Sequence, residues 1–143
     1  MSEKPVIAEE YRAKVGLELD FGTYEIEKSM VQRYVRAIGD TSPRWDSVAP
    51  PAFIVTVGGE EFGRHVMAMF TDGLLHGATE LECYQPVKPG DKIKVTGKIA
   101  GIRERSTMAF VTFDISYTNQ KQATVARCQQ TLIGYDTEGK KNG

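Results

Sequence analysis

The stretch "PPAFIVTVGGEEFGRHVMAMFTDG", residues 50–73, decides how the rest of the chain is arranged. Wound as a helix, it puts Phe53, Ile54, Val57, Phe62, Val66, Met69 and Phe70 on more than one side. A helix apolar around so much of its circumference has to be buried. Gly58-Gly59 lowers helix propensity midway and predicts a kink or a close packing contact there.

The elements on either side supply what buries it. Upstream, Met30, Val31, Tyr34, Val35 and Ile38 recur at helical spacing over Lys28–Ile38, and Gly39 stands where a helix stops. Glu27 makes a poor cap at its start. A short strand near Phe21–Ile26 precedes it. Downstream of Gly73 the period changes to two. Leu81 and Cys83 alternate with Glu80, Glu82 and Tyr84, and "VKPGD" (87–91) carries the proline and glycine of a tight reversal. Then Ile93, Val95 and Ile99 alternate with lysines, and Val111, Phe113, Ile115 and Tyr117 share one side of the next strand. Ala126, Cys128 and Leu132 stand opposite Arg127, Gln129 and Thr131 in the last. Long consecutive strands with short reversals make an antiparallel meander. A sheet polar on one face needs its apolar face covered, and residues 50–73 are the element apolar enough to do it. The predicted class is α+β, an antiparallel sheet wrapped around one long central helix.

Bulk properties narrow the function. The 143 residues predict one domain, 1–143, with a core at about 20–135 between polar termini. Eighteen basic against nineteen acidic residues, without a dense basic run, argue against a nucleic-acid or anionic-membrane partner. Lys140 and Lys141 sit in a polar tail that reads as a frayed end. No segment reaches the ~18 apolar residues of a membrane span, and "MSEKPVIAEE" lacks the apolar run of a signal peptide. Cys83 and Cys128 have no C-x-x-C spacing; a disulfide or a pair of reduced core thiols both fit, and a cytoplasmic setting favours the thiols. There is no metal cluster, phosphate loop or nucleophile motif, so no metal and no cofactor are expected.

One loop carries chemistry. "GDTSPRWD" (39–46), "APPAF" (49–53) and "LHGATELECYQPVKPGD" (75–91) occur in that order. Together they resemble the MaoC-like dehydratase and hydratase superfamily, in its N-terminal, fatty-acid-synthase-like dehydratase domain branch, over roughly residues 20–135. The resemblance implies a hot-dog fold and an activity that adds or removes water across the double bond of enoyl thioesters carried by coenzyme A or acyl carrier protein. Catalytic members carry G-D-x-N-P-x-H, whose Asp and His move protons to and from the water and the α-carbon. Here Gly39, Asp40 and Pro43 match, Ser42 replaces the Asn, and Trp45 stands at the His position. Indole has one donor and cannot shuttle a proton. The loop is also shortened, with Ser47 and Val48 alone between Asp46 and Ala49 where relatives carry a longer, substrate-covering insert.

Each candidate has a plainer alternative. Asp40 reads as half of an acid–base pair or as a turn former. Trp45 reads as a packing aromatic or as a wall that stacks on adenine or fills an acyl tunnel. His76, the one histidine inside a motif, is the second catalytic candidate, with a structural hydrogen bond as its other role. His65 reads as a partly exposed helix residue. Ser42 and Trp45 are the candidate substrate-binding side chains. The amides of Ala52 and Phe53, at a helix start, are candidate donors to a thioester carbonyl. Glu60 and Glu61 would serve a hot-dog thioesterase, or are surface carboxylates. The expected function is an enoyl-CoA or 3-hydroxyacyl-CoA hydratase or dehydratase of fatty-acid metabolism, in which this chain is catalytic or is the substrate-binding subunit of a two-chain enzyme. A non-catalytic acyl-CoA-binding module and a thioesterase are the alternatives. Partners are the acyl-CoA or acyl-carrier-protein thioester and a second hot-dog chain, in a homodimer or heterodimer.

Overall fold

A computed structural model describes residues 5–138, and the polar tail with Lys140 and Lys141 lies outside them. A short helix α1 (Glu9–Arg12) precedes strand β1 (Glu18–Glu25) and helix α2 (Lys28–Ala37). Two 3-10 turns, Pro43–Asp46 and Pro51–Thr56, lead to helix α3 (Gly59–Met69). Strands β2 (Gly73–Cys83), β3 (Lys92–Arg105), β4 (Met108–Thr118) and β5 (Thr124–Tyr135) follow. They form a five-stranded sheet in the order β1-β3-β4-β5-β2, with every neighbouring pair antiparallel. The α+β class and the meander are as the alternation predicts. The inward set also holds: Ile93, Val95, Ile99, Val111, Phe113, Ile115, Tyr117, Ala126, Cys128 and Leu132 are all buried.

The one long central helix is not formed. The chain from Pro51 to Met69 is a six-residue 3-10 turn, an extended Val57, a left-handed Gly58 and then an eleven-residue α-helix. The amides of Phe53 and Val57 bond back three residues, to Pro50 and Ile54, at 3.0 and 3.1 Å. The run Ile54-Val55-Thr56-Val57 explains the break. Consecutive β-branched side chains lose rotamer freedom in an α-helix and weaken it where the prolines start it. Gly58 then turns the chain at φ +76°, and a β-carbon there would lie 3.2 Å from Val95. The anticipated kink is therefore a close approach of the chain to β3.

Both halves of the broken element still cover the sheet. Phe53, Ile54 and Val57 from the turn, and Val66, Met69 and Phe70 from α3 and its end, are buried. Phe62 stands edge-on to Phe113 at 5.1 Å and to Phe21 at 5.7 Å. The core reaches further toward the N-terminus than residue 20. Ile7 and Tyr11 are buried, Ile7 bridges Phe70, and the Ala8 amide bonds the Met69 carbonyl at 2.8 Å. Cys128 is a core thiol, whereas Cys83 is exposed; both are free. Among the described residues no helix is long and apolar enough to cross a membrane.

Candidate functional site

Helix α2 ends as its Gly predicts, and that ending aims the functional loop. Gly39 adopts φ +72° and its amide bonds Arg36, while the Asp40 amide reaches back to the Val35 carbonyl at 2.9 Å. This paired reach-back satisfies the last carbonyls of the helix. It fixes Asp40 at the start of the loop. One carboxylate oxygen of Asp40 accepts the Ser42 amide at 2.9 Å, closing a tight turn. The other accepts the Trp45 indole N–H at 2.7 Å. These two donors, the Ser42 amide first, hold the Asp40 carboxyl below its ordinary range, with a smaller contribution from Arg44. Asp40 is thus an ionised acceptor whose two oxygens are engaged by its own loop.

Trp45 joins that carboxylate to an apolar cavity. It sits in the 3-10 turn Pro43–Asp46, with the Arg44 guanidinium 5.5 Å from its ring. The indole is part of the wall of a cavity of about 340 Å³, closed also by Ile54, Pro50, Val87, Val125 and Tyr84. The Ala49 amide bonds the Val87 carbonyl at 2.7 Å, stapling the loop to the segment after β2. Cys83 contributes its thiol, 3.6 Å from the Pro51 carbonyl. Partial desolvation against the cavity wall raises that thiol's pKa, although the residue as a whole is exposed.

The other candidates are placed apart from this cluster. Ser42 engages Asp40 through its amide. Phe53 is buried, and its amide is taken by Pro50, so it is not the outward donor the sequence suggests. A 3-10 geometry satisfies that amide within one turn, which an α-helix would leave open. Ala52 is exposed beside it. His76 lies on β2 opposite Leu132, and its Nε2 is 2.8 Å from the Thr79 hydroxyl. Asp40 is bonded by Ser42 and Trp45 and His76 by Thr79, so the two catalytic candidates share no hydrogen bond. Glu60 and Glu61 pair with Arg64 at 3.0 and 3.1 Å on the surface of α3. His65 is half-buried, between Tyr11 and Phe21. Among the described residues no group of three or more His, Cys, Asp or Glu gathers as metal ligands would.

Sequence reasoning missed the side chains that make the cavity: Ile54, Tyr84, Val87 and Val125. The signal was present in pieces, since "APPAF" and "LECYQPV" both belong to the recognised motifs. Only the pairing of β2 with β5 brings them to one place.

The family model described as "FAS1-like, dehydratase domain region" matches residues 13–128. The chain belongs to that family. It lies within the MaoC-like superfamily that the motifs resemble. It is 24% identical over 96 residues to a UPF0336 protein from Streptomyces griseus, across 56% of this chain and 64% of that protein. The aligned region therefore spans a little under two thirds of that relative's length. The fold is that of the C-terminally truncated HadBC (3R-hydroxyacyl-ACP dehydratase) complex from Mycobacterium tuberculosis, with a TM-score of 0.72 and 20% identity, over 85% of this chain and 97% of that one. It is also that of a MaoC-like dehydratase, with a TM-score of 0.76 and 20% identity, over 89% of this chain and 44% of that one.

Proposed function

We propose that this FAS1-like dehydratase-region chain holds the acyl part of an enoyl or 3-hydroxyacyl thioester, carried by coenzyme A or acyl carrier protein, for a two-chain hydratase or dehydratase. The observation that carries this reading is the bond from the Trp45 indole to Asp40, with the same indole walling an apolar cavity. Adding water requires one group to take a proton from water and deliver one to the α-carbon. Asp40, held ionised by two donors, and Trp45, a donor that cannot accept, do not make such a pair. They make a rigid rim for a cavity instead. Ser42 closes the turn that positions Asp40, the exposed Ala52 lies at the start of the turn beside Pro51, and His76 steadies β2 through Thr79. The proton-moving side chain then comes from a second hot-dog chain seated along β2, in an assembly burying at least ~1,600 Å². The HadBC relative, itself described as a complex, supports a paired arrangement.

The chain has a single tryptophan, so its fluorescence reports Trp45 alone. Enoyl-CoA of increasing chain length should change that fluorescence saturably while the enoyl absorbance persists. Loss of a proton-transferring group costs about 10²–10⁴-fold in rate, which the absorbance resolves. Fast hydration by the chain alone, lost in His76→Ala and kept in Asp40→Ala, would overturn the reading and move the chemistry to β2.

A further inference from the structure

The polar face of the sheet, opposite the helices, carries a depression of about 470 Å³ whose charges are ordered in rows. Cross-strand register runs one row from Glu18 through Lys98, Asp114 and Gln129 to Glu80. The next runs from Asp20 through Thr96, Ser116 and Arg127 to Glu82. In both rows every directly opposed pair of charges is unlike, neutral residues separate the rest, and Gln129 donates to Asp114 at 3.0 Å. Directly opposed unlike charges stabilise a pair of strands and like charges destabilise it. Each row ends on a glutamate of β2, which is the last strand of the sheet on that side.

The strand that continues these rows must therefore be basic at two positions. A second copy of this chain cannot supply them. Residues 73–83 contain no Lys or Arg, and their one histidine, His76, lies on the other face, opposite the buried Leu132. In every register of β2 against β2, Glu80 and Glu82 meet a strand without a cation on their face. We propose that the β2 edge selects a partner chain whose pairing strand presents Lys or Arg opposite Glu80 and Glu82, and selects against a second copy of itself. This rests on the reading above that β2 is the seam between two hot-dog chains.

The test uses the intact chain and a charge-reversed copy, E80K/E82K, carrying a mass tag. The two are mixed at low salt and the species counted by native mass spectrometry. The ratio of the mixed pair to the wild-type self-pair should exceed its statistical value by roughly threefold to tenfold, as two opposed charge pairs allow. About 1 M NaCl, with a Debye length of ~3 Å, should bring the distribution back toward statistical. The neutral E80Q/E82Q chain should self-associate more than wild type, by about threefold. A statistical mixture at low salt, a wild-type pair as abundant as the mixed one, or no pairing in any mixture would each overturn the proposal. Hydrogen exchange separates this from failure of the seam itself. Amides of residues 73–83 should be protected in the mixed pair, and a mixed pair that leaves them unprotected places the seam elsewhere.

Discussion

The two edges of the sheet are finished in opposite ways. At β1 the chain closes its own edge. The pairing shifts between Asp20 and Thr23, Gly22 sits at φ +98°, and its amide is held by the Asp20 carboxylate at 2.8 Å. Such an irregularity twists an edge away from further pairing. The residues before β1 continue along β3, with Val15 bridging Ile99, and Arg12 clasps Glu104. Phe21 reaches inward to Phe62 and His65. At β2 the pairing also shifts once, between His76 and Ala78, but residues 78–83 then pair β5 in unbroken register and, among the described residues, no further strand lies along its outer edge. Eleven residues run along the edge, and most are exposed, Leu75 at 50%. An unprotected strand this long is a template for another chain. One half of the molecule closes its own edge, and the other leaves an edge that the proposed partner would cover.

A buried charge separates the halves most strongly. Phe53 is 2% exposed and stands edge-on to Tyr34 at 5.6 Å. Phe53→Asp places an unpaired carboxylate in the core, at a cost of about 3 kcal/mol or more, and should abolish soluble expression. Leu75→Asp on the open half should change the isolated chain's unfolding free energy, measured in urea, by no more than ~0.5 kcal/mol, while weakening pairing. Equal losses from the two changes would mean that β2 is finished within the chain after all.

Gly58 comes next, because it sets where the covering helix begins. Gly58→Ala forces a β-carbon into a left-handed position and toward Val95, and should cost about 1–3 kcal/mol in urea denaturation with the slope unchanged. A neutral outcome would mean that the break between the 3-10 turn and α3 can heal into one helix.

That break marks where the sequence stops being legible. Period-two alternation identified the inward face of β3, β4 and β5, because one buried face imposes it. The apolar content of residues 50–73 announced burial correctly, but burial says nothing of helix type. The local conflict of prolines and β-branched residues with α geometry decided that, and only the Gly pair hinted at it. In the loop, the motif put Asp40 and Trp45 five residues apart. Spacing could not say that their side chains bond to each other, because that depends on the turn closed by the Ser42 amide. The open edge was legible only as a run of alternating residues, since β2 looks like any strand until its place in the sheet is known.

The smallest effect tests whether the loop on the open side is set by its own charges. Asp40 has a lowered pKa in the folded chain, so its two hydrogen bonds stabilise the fold fully above the ordinary carboxyl value of about 3.9. That contribution is lost as pH falls through the lower, folded value. Asp40→Asn should therefore be less stable than wild type at neutral pH, and the gap should close below about pH 4. Asp40 is open to solvent, so the gap is small and salt-sensitive. Trp45→Phe removes one of the two donors while keeping an aromatic wall. It should move the Asp40 titration, read from the carboxyl carbon by NMR, back toward its ordinary value, and the low-pH loss should then begin at higher pH. An unmoved titration in Trp45→Phe would mean that the indole packs against the loop without holding the carboxylate. Asp40 would then be free to face a substrate, and the division between a holding chain and a proton-moving partner would lose its footing.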